Sequence, residues 1–327
     1  MGSPNGGLTR RGLLLGVLGS VAVAALRPKA LFAATRKARV VRVESARVWQ
    51  GTARDVTVIA AMLDKGLIAL SGAATPQQAW RHYFKPGMRV GLKINLLGRP
   101  LLYTAPEVTE AVAAGVIAAG VKPGDVIVWD RWRDHFGPTA YKFGTGKHGE
   151  AIVSGGEYHP TIALHGSTGI APIDRIPVER TDVTVSLPLL KDHGVSGVTL
   201  ALKNIAFGCY DHHAAAHDNG CDPFISEAYQ HFVATTKVPV IILDATRACF
   251  EGGPRPSDRS RIWNENAIYF ATDPVALDTV CRKVIVDKRA AAGLPDRTRQ
   301  SKHIETAARL GLGTNDPNQI ELVTLRV

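Results

Sequence analysis

Short apolar runs rich in β-branched residues recur along the chain, separated by segments in which the apolar positions have helical spacing. Each run has the length and composition of a buried strand. The predicted strands are Val40–Val43, Val90–Ile94, Val126–Trp129, Val183–Leu187, Val198–Leu202, Val238–Leu243, Ala267–Ala271 and Ile320–Val327. Residues 53–64 and 106–119 are predicted helices. This alternation predicts an α/β fold with a largely parallel or mixed sheet flanked by helices.

Polar residues mark two predicted helix starts. Thr104 is placed to cap the helix over residues 106–119, and Asp273 followed by Pro274 opens a helix near the C-terminus. Asp278 lies inside an apolar run of that second helix. Because a carboxylate is costly to bury alone, we expect Asp278 to be half exposed or paired.

The stretch Arg133–Ser167 is rich in Gly, His and Lys and is predicted to be a long loop or insertion. It would separate an N-terminal lobe, which extends to about residue 132, from a C-terminal lobe, which begins at about residue 168. The α/β region is therefore expected over residues 35–327, either as one body or as two α/β lobes.

The N-terminus has the pattern of a twin-arginine signal peptide over residues 1–34. Arg10 and Arg11 precede an uncharged apolar run, Gly12–Leu26, and small residues follow near Ala34. This pattern predicts export by the twin-arginine translocase to a periplasmic or extracytoplasmic location, with membrane contact only through the signal. An uncleaved anchor or an ordinary apolar helix is the alternative.

Charge narrows the expected partners only slightly. Removal of residues 1–34 takes away four of the 39 Lys and Arg residues and no acidic residue, which lowers the net charge from +10 to +6. The remaining charge is spread along the chain without a basic–aromatic motif, so nucleic acid is not an expected partner. A positive surface favours a small anionic ligand, although a generic solvated surface would explain the charge equally well.

Lysines, asparagines and a histidine follow three of the apolar runs. Because ligands of open α/β sheets bind beyond the carboxyl ends of strands, we expect these side chains to converge on one pocket. The predicted catalytic residues are Lys93, Lys191 and His193, and the predicted cofactor-binding residues are Asn95, Lys203 and Asn204. The alternative is that these lysines pair with loop carboxylates and bind no ligand.

A loop over residues 211–222 concentrates side chains that can bind a metal or transfer protons. Its predicted metal ligands are Asp211, His213, His217 and Cys221. Two His at i and i+4 with a carboxylate suit zinc or iron, so a divalent transition metal is the expected cofactor. Metal-free acid–base catalysis by the same histidines and an ordinary surface loop are the alternatives. Cys209 and Cys221 flank the loop and are the expected disulfide pair.

An ordered set of motifs resembles the family known as domain of unknown function 362. The motifs are Gly87–Asn95, Thr104–Ala111, Leu187–His193, Gly197–Asn204 with Gly208, Thr272–Asp278 and Leu310–Gly313. The resemblance extends from about residue 40 to the C-terminus. The family implies no settled activity, and the iron–sulfur clusters of some members are not implied here because the chain lacks their cysteine motifs.

These observations lead to one expected function and two alternatives. The chain is expected to be an exported metal- or cofactor-dependent enzyme that acts on a small anionic or hydroxylated substrate, with histidines and lysines as acids and bases. It could instead be a non-catalytic periplasmic protein that binds a metal, a cofactor or an anionic ligand. A third interpretation is a thiol–disulfide redox accessory protein that uses Cys209 and Cys221.

Overall fold

The structure is a computed structural model that describes residues 37–212 and 214–327. These residues fall within one compact unit. The predicted signal peptide, residues 1–34, and His213 lie outside the described residues.

Alternating strands and helices form an α/β architecture, as the sequence predicts. The strands are β1 Ala38–Glu44, β2 Trp49–Gln50, β3 Ala53–Arg54, β4 Val90–Lys93, β5 Val126–Asp130, β6 Gly144–Thr145, β7 Ala151–Ser154, β8 Tyr158–Gly166, β9 Gly169–Asp174, β10 Val183–Ser186, β11 Leu189–His193, β12 Gly197–Val198, β13 Ile241–Cys249, β14 Ile262–Trp263, β15 Ala267–Ala271 and β16 Ile320–Arg326. The helices are α1 Val56–Ser71, α2 Pro76–Tyr83, α3 Pro106–Ala118, α4 Ala201–Ala206, α5 Phe224–Thr235, α6 Pro274–Ala291 and α7 Lys302–Arg309.

One mixed sheet organises the described part of the chain. Its central path runs β16-β1-β15-β13-β10-β4-β5-β7-β6; β11 and β14 pair with β13, and β12 pairs with β11. The neighbours β13, β10, β4, β5 and β7 are all parallel, whereas β15 is antiparallel to both β13 and β1. The carboxyl ends of the five parallel strands therefore share one edge of the sheet.

The central strands are buried because helices cover both faces of the sheet. Every residue of β4, β5, β10 and β15 is buried. Alternate residues of β5 and β15 enter two apolar clusters, one containing α1 to α3 and the other containing α4 to α7, whereas β4 and β10 contribute apolar residues only to the first. This explains why β5 and β15 appear in the sequence as nearly continuous apolar runs, because both of their faces are covered.

Local sequence signals set several helix starts. Asp55 accepts hydrogen bonds from Thr57 N and Val58 N at the start of α1, and Asp273 accepts one from Ala276 N at the start of α6, as predicted. The predicted cap Thr104 is wrong, since α3 starts after Ala105 without a side-chain cap. The Thr104 hydroxyl instead accepts a hydrogen bond from Asn95 N and donates one to Leu187 O, joining two strand-end loops.

Two sequence predictions of secondary structure are corrected. The run Val198–Leu202 is not a strand, because β12 ends at Val198 and α4 begins at Ala201. The stretch Arg133–Ser167 is not simply a loop, since it contains the whole of β6, β7 and β8. Strands from both predicted lobes lie side by side in the main sheet, where β4 pairs with β10.

No single helix of the described residues is both long enough and apolar enough to cross a membrane. Helices α1 and α2 pass that length and composition criterion only as a pair, and they are bent by 66° relative to each other.

Candidate functional site

A cavity of about 270 Å³ lies beside the carboxyl ends of β4 and β5. We refer to it as the strand-end cavity. Its walls contain the predicted residues Lys93, Asn95, His193, Lys203, Asn204 and His217. They also contain His212 of the predicted 211–222 loop, and residues that the sequence analysis did not select: Asp130, Arg131, Trp132, His135, Thr199, Phe207 and Arg255. Sheet topology therefore brings together side chains that are far apart in the sequence.

Lys93 forms a buried ion pair at the base of the cavity. Its Nζ lies 2.6 Å from Asp130 Oδ1, and the two side chains are 1% and 7% exposed. Burial alone would raise the pKa of Asp130, but the Lys93 charge and hydrogen bonds from Lys93, Leu96 N and Arg131 N outweigh it and lower that pKa. Asp130 is therefore ionised and Lys93 is held in one position.

Gly208 lies against the Lys93 ammonium, and only a residue without a side chain leaves room for it. A Cβ at Gly208 would lie 2.6 Å from Lys93 Nζ, closer than such atoms approach in folded proteins. A larger residue at position 208 would therefore displace the ammonium from Asp130.

A chain of amide hydrogen bonds connects the strand ends to α4. Asn95 Nδ2 donates to Asn204 Oδ1 at 3.0 Å, and Lys191 Nζ donates to Asn95 Oδ1 at 2.9 Å. Lys191 is fully buried behind Asn95 and does not line the cavity. Burial lowers the pKa of Lys191 to about 8, partly opposed by the negative charge of nearby Asp130.

Lys203 and His193 form the second basic pair of the cavity. Lys203 Nζ lies 3.0 Å from His193 Nε2 and donates to Ser196 Oγ at 2.9 Å and to Cys221 Sγ at 3.4 Å. Burial lowers the pKa of Lys203 to about 8. Burial and the nearby charges of Lys203 and Lys191 lower the pKa of His193 to about 2, so the imidazole is neutral at physiological pH.

Asp278 holds the helix that carries Lys203. Its two carboxylate oxygens accept hydrogen bonds from Ala201 N at 2.8 Å and Leu202 N at 3.1 Å, at the start of α4. The expectation that Asp278 is paired is thus met by backbone N–H groups. Burial raises the pKa of Asp278 to about 8, against the opposing effect of these two hydrogen bonds.

Arg131 and a group of aromatic rings form the outer wall. The Arg131 guanidinium donates to Tyr158 OH at 2.7 Å and to Asp211 Oδ1 at 2.8 Å, and it stacks on the Trp132 ring. The Phe207 ring lies 4.4 Å from Lys203 Nζ.

Two cavity side chains have features that the sequence did not reveal. The Thr199 hydroxyl is buried and has no hydrogen-bond partner in residues 37–212 and 214–327, although Thr199 lines the cavity. Burial is the main cause that lowers the pKa of His135 to about 4, so its imidazole is also neutral. Asp130 ends a predicted strand region, so applying the strand-end rule there would have found it.

The predicted metal ligands do not form a cluster in the described part of the structure. Asp211 pairs with Arg131, Cys221 accepts from Lys203, and His217 lies at the exposed rim beside Phe207. In the ranges 37–212 and 214–327, no group of three or more His, Cys, Asp or Glu side chains could hold a metal ion. His213 lies outside these ranges, so its role stays a prediction.

All four cysteines belong to the described residues, and all are free and buried. The expected disulfide between Cys209 and Cys221 is therefore absent. Burial is the main cause that raises the pKa of the Cys209 and Cys221 thiols, which keeps both in the thiol form.

Fold and cavity together define an α/β protein with a lysine- and histidine-rich site at the strand ends of a mixed sheet. The family model described as "Domain of unknown function (DUF362)" matches residues 90–283, which is more than half of the chain. The chain therefore belongs to this family, as its motifs indicate. Comparison with curated proteins found no match.

Proposed function

We propose that the chain is an enzyme that binds a small anionic substrate in the strand-end cavity and transfers a proton there. Lys203 would be the group that gains and loses the proton. His193 would orient the amine and donate a hydrogen bond to the substrate.

The observation that carries this proposal is the contact between Lys203 Nζ and His193 Nε2 at 3.0 Å. Within residues 37–212 and 214–327 neither residue is paired with a carboxylate, and both line the cavity. The pKa of Lys203, lowered to about 8 by burial, lies near the range in which a group transfers protons efficiently at physiological pH. Lys93 is less suited to this task because Asp130 holds it as an ammonium.

Surplus positive charge supports the choice of an anionic substrate. The charges of Lys93 and Arg131 are compensated by Asp130 and Asp211. Arg255 at the rim forms no ion pair within the described residues, and Lys191 lies just behind Asn95. An anion in the cavity would therefore be attracted by Arg255 and, from behind Asn95, by Lys191, whose effect is stronger in a partly enclosed site than in water.

The test combines ligand binding with hydrogen exchange. Calorimetry with a panel of small 2-hydroxy and 2-oxo carboxylates measures binding, and NMR in D₂O measures exchange of the hydrogen beside the carboxylate or carbonyl. We expect exchange by the wild type and a loss of about 10²–10⁴-fold in Lys203→Met. Lys283→Met, which removes an exposed lysine that is 74% accessible, is the control.

Two results would contradict the proposal. Binding without exchange would indicate a non-catalytic anion-binding protein. Failure of every anion to bind would remove the cavity as the substrate site. Metal dependence is a separate prediction from the sequence, and Lys203 and His193 act in this proposal without a metal.

We further propose that the twin-arginine translocase exports the chain, on the basis of Arg10, Arg11 and the apolar run Gly12–Leu26. Replacement of both arginines by lysine preserves the charge but removes the paired guanidinium groups. We expect the double variant to stay in the cytoplasm as a precursor, measured by cell fractionation and immunoblotting. Unchanged export of this variant would exclude the twin-arginine route.

A further inference from the structure

We propose that Lys203 forms an imine with the carbonyl carbon of the substrate, which makes small oxo acids the substrate class. This inference rests on the proposed function, because it takes the strand-end cavity as the substrate site. It adds a covalent step and a chemical class to that proposal.

The proton on the His193 ring can be placed from its backbone contacts. His193 Nδ1 accepts hydrogen bonds from Val195 N at 3.1 Å and Ser196 N at 3.2 Å. Two N–H groups directed at this nitrogen leave no room for a proton on it. A neutral imidazole carries one proton, so that proton is on Nε2. The Nε2–H group therefore donates toward Lys203 Nζ, 3.0 Å away.

The contacts of Lys203 match those of a neutral amine. Such an amine has one lone pair and two protons, and the lone pair accepts the His193 Nε2–H. The two protons are directed to Ser196 Oγ at 2.9 Å and Cys221 Sγ at 3.4 Å. Ser196 Oγ donates its own proton to Val198 O, so it acts as an acceptor toward Lys203. An ammonium would instead place a third N–H against the Nε2–H group.

The other lysines of the site are less suited to the same reaction. Lys93 lies in the cavity wall, but Asp130 holds it as an ammonium, which has no lone pair. Lys191 does not line the cavity. Lys203 alone among these three lysines combines access to the cavity with a free-amine contact pattern.

Groups around Lys203 fit the needs of a carbonyl compound. The unpartnered Thr199 hydroxyl can hydrogen-bond the carbonyl oxygen. The Nε2–H group of His193 can shift its hydrogen bond from the amine to that oxygen when the amine lone pair attacks the carbonyl carbon. Arg255 at the rim can bind a carboxylate. The cavity of about 270 Å³ lies just below the usual range for drug-sized ligands, roughly 300–1,000 Å³, which favours a short oxo acid.

The chemical step is balanced without an oxidant or a reductant. The Lys203 nitrogen attacks the carbonyl carbon, and one amine proton passes to the oxygen to give a carbinolamine. The hydroxyl then leaves as water with the second amine proton, and a carbon–nitrogen double bond replaces the carbon–oxygen double bond. His193 donates a hydrogen bond to the departing oxygen throughout.

Reductive trapping tests the proposal on the wild-type protein. Folded protein at pH 8 is mixed with glyoxylate or pyruvate, reduced with cyanoborohydride, digested and analysed by peptide mass spectrometry. We expect at least tenfold higher occupancy of the reduced adduct at Lys203 than at the exposed Lys283. Lys203→Arg should remove that adduct while leaving the background at Lys283 unchanged.

The outcomes separate this inference from the proposed function. If calorimetry shows that glyoxylate or pyruvate binds but Lys203 carries no more adduct than Lys283, the imine is excluded and the anion site remains. If neither oxo acid binds nor reacts at Lys203, the imine is also excluded, and the result counts against the cavity as an anion site. Because the wild type carries the decisive measurement, the result does not depend on whether a variant folds.

Discussion

At the scale of single residues, the cavity contains two lysines whose neighbours give them different properties. Lys93 contacts Asp130, and the pair is buried, so its charge is fixed and its position is rigid. Lys203 contacts a histidine, a serine and a cysteine, so in the part of the chain that the structure describes no carboxylate stabilises its ammonium form. Burial therefore lowers the pKa of Lys203. Lys93, which Asp130 holds in one position, has a structural role in the site.

Removal of the Asp130 charge should show how much the Lys93–Asp130 ion pair contributes to stability. Asp130→Asn leaves the Lys93 charge buried without a counter-ion, and we expect a loss of about 3–5 kcal/mol in the free energy of unfolding at pH 7. Urea denaturation followed by circular dichroism measures it. Asp287→Asn breaks an exposed pair with Lys283 and should change stability by about 0.5 kcal/mol or less.

The pH dependence of the same pair has a defined sign. Because the pKa of Asp130 is lowered in the folded protein, its stabilisation is complete above the unfolded pKa of about 3.9. It is lost as the pH falls through the folded pKa. Equal stabilities of wild type and Asp130→Asn at pH 7 would show that the pair contributes nothing to folding.

At the scale of elements, the sequence predicted the buried strands well and α4 poorly. Strands β5 and β15 are nearly continuous apolar runs because both of their faces are covered, and β4 and β10 keep apolar residues at alternate positions, so all four are recognisable without an alignment. The run that precedes Lys203 looks similar, with Val198 and Thr199 in it. It instead ends β12 at Val198 and begins α4 at Ala201, where the carboxyl oxygens of Asp278, 76 or 77 residues away, accept the first N–H groups of the helix.

The candidate site was predictable to the extent that it follows the strand-end rule. Lys93, Asn95 and His193 follow predicted strands, and all three line the cavity. Lys203 and Asn204 also line it, but from α4 and not from a strand end, so their selection relied on a wrong element. Thr199 was missed because its importance lies in a hydroxyl that has no hydrogen-bond partner within the described residues. Arg131 was missed because its importance lies in stacking on Trp132. Only the folded chain reveals either feature.

At the scale of the whole molecule, the parallel core of the sheet explains why one cavity collects residues from distant parts of the chain. The parallel strands from β13 to β7 end at one edge, and the loops that follow β4, β5 and β11 meet there with α4. The packing of elements around the cavity also buries two histidines away from water. His193 lines the cavity, and His303 in α7 is fully buried, with neither ring nitrogen hydrogen-bonded within the described residues.

These two histidines should make the stability of the whole protein sensitive to mild acid. Burial, with a further contribution from the Lys203 charge, lowers the pKa of His193 to about 2 and that of His303 to about 3. Both values lie below the unfolded pKa of about 6.5, so below that pH the unfolded chain binds protons that the folded chain does not. Stability is therefore complete above pH 6.5 and decreases as the pH falls, by up to about 1.4 kcal/mol per pH unit for each histidine.

Replacement of one buried histidine isolates this effect, and urea unfolding at a series of pH values between 7 and 5 measures it. His303→Gln removes a titrating group without altering the cavity wall, so the decrease in unfolding free energy over this range should become smaller by about 1–2 kcal/mol. His82→Gln, which replaces an exposed histidine, is the matched control. The absolute stability of His303→Gln can differ from that of the wild type, because the test depends only on the change with pH. If the pH dependence of His303→Gln equals that of the wild type, then His303 binds a proton as readily in the folded protein as in the unfolded chain, and its burial does not cause the acid sensitivity.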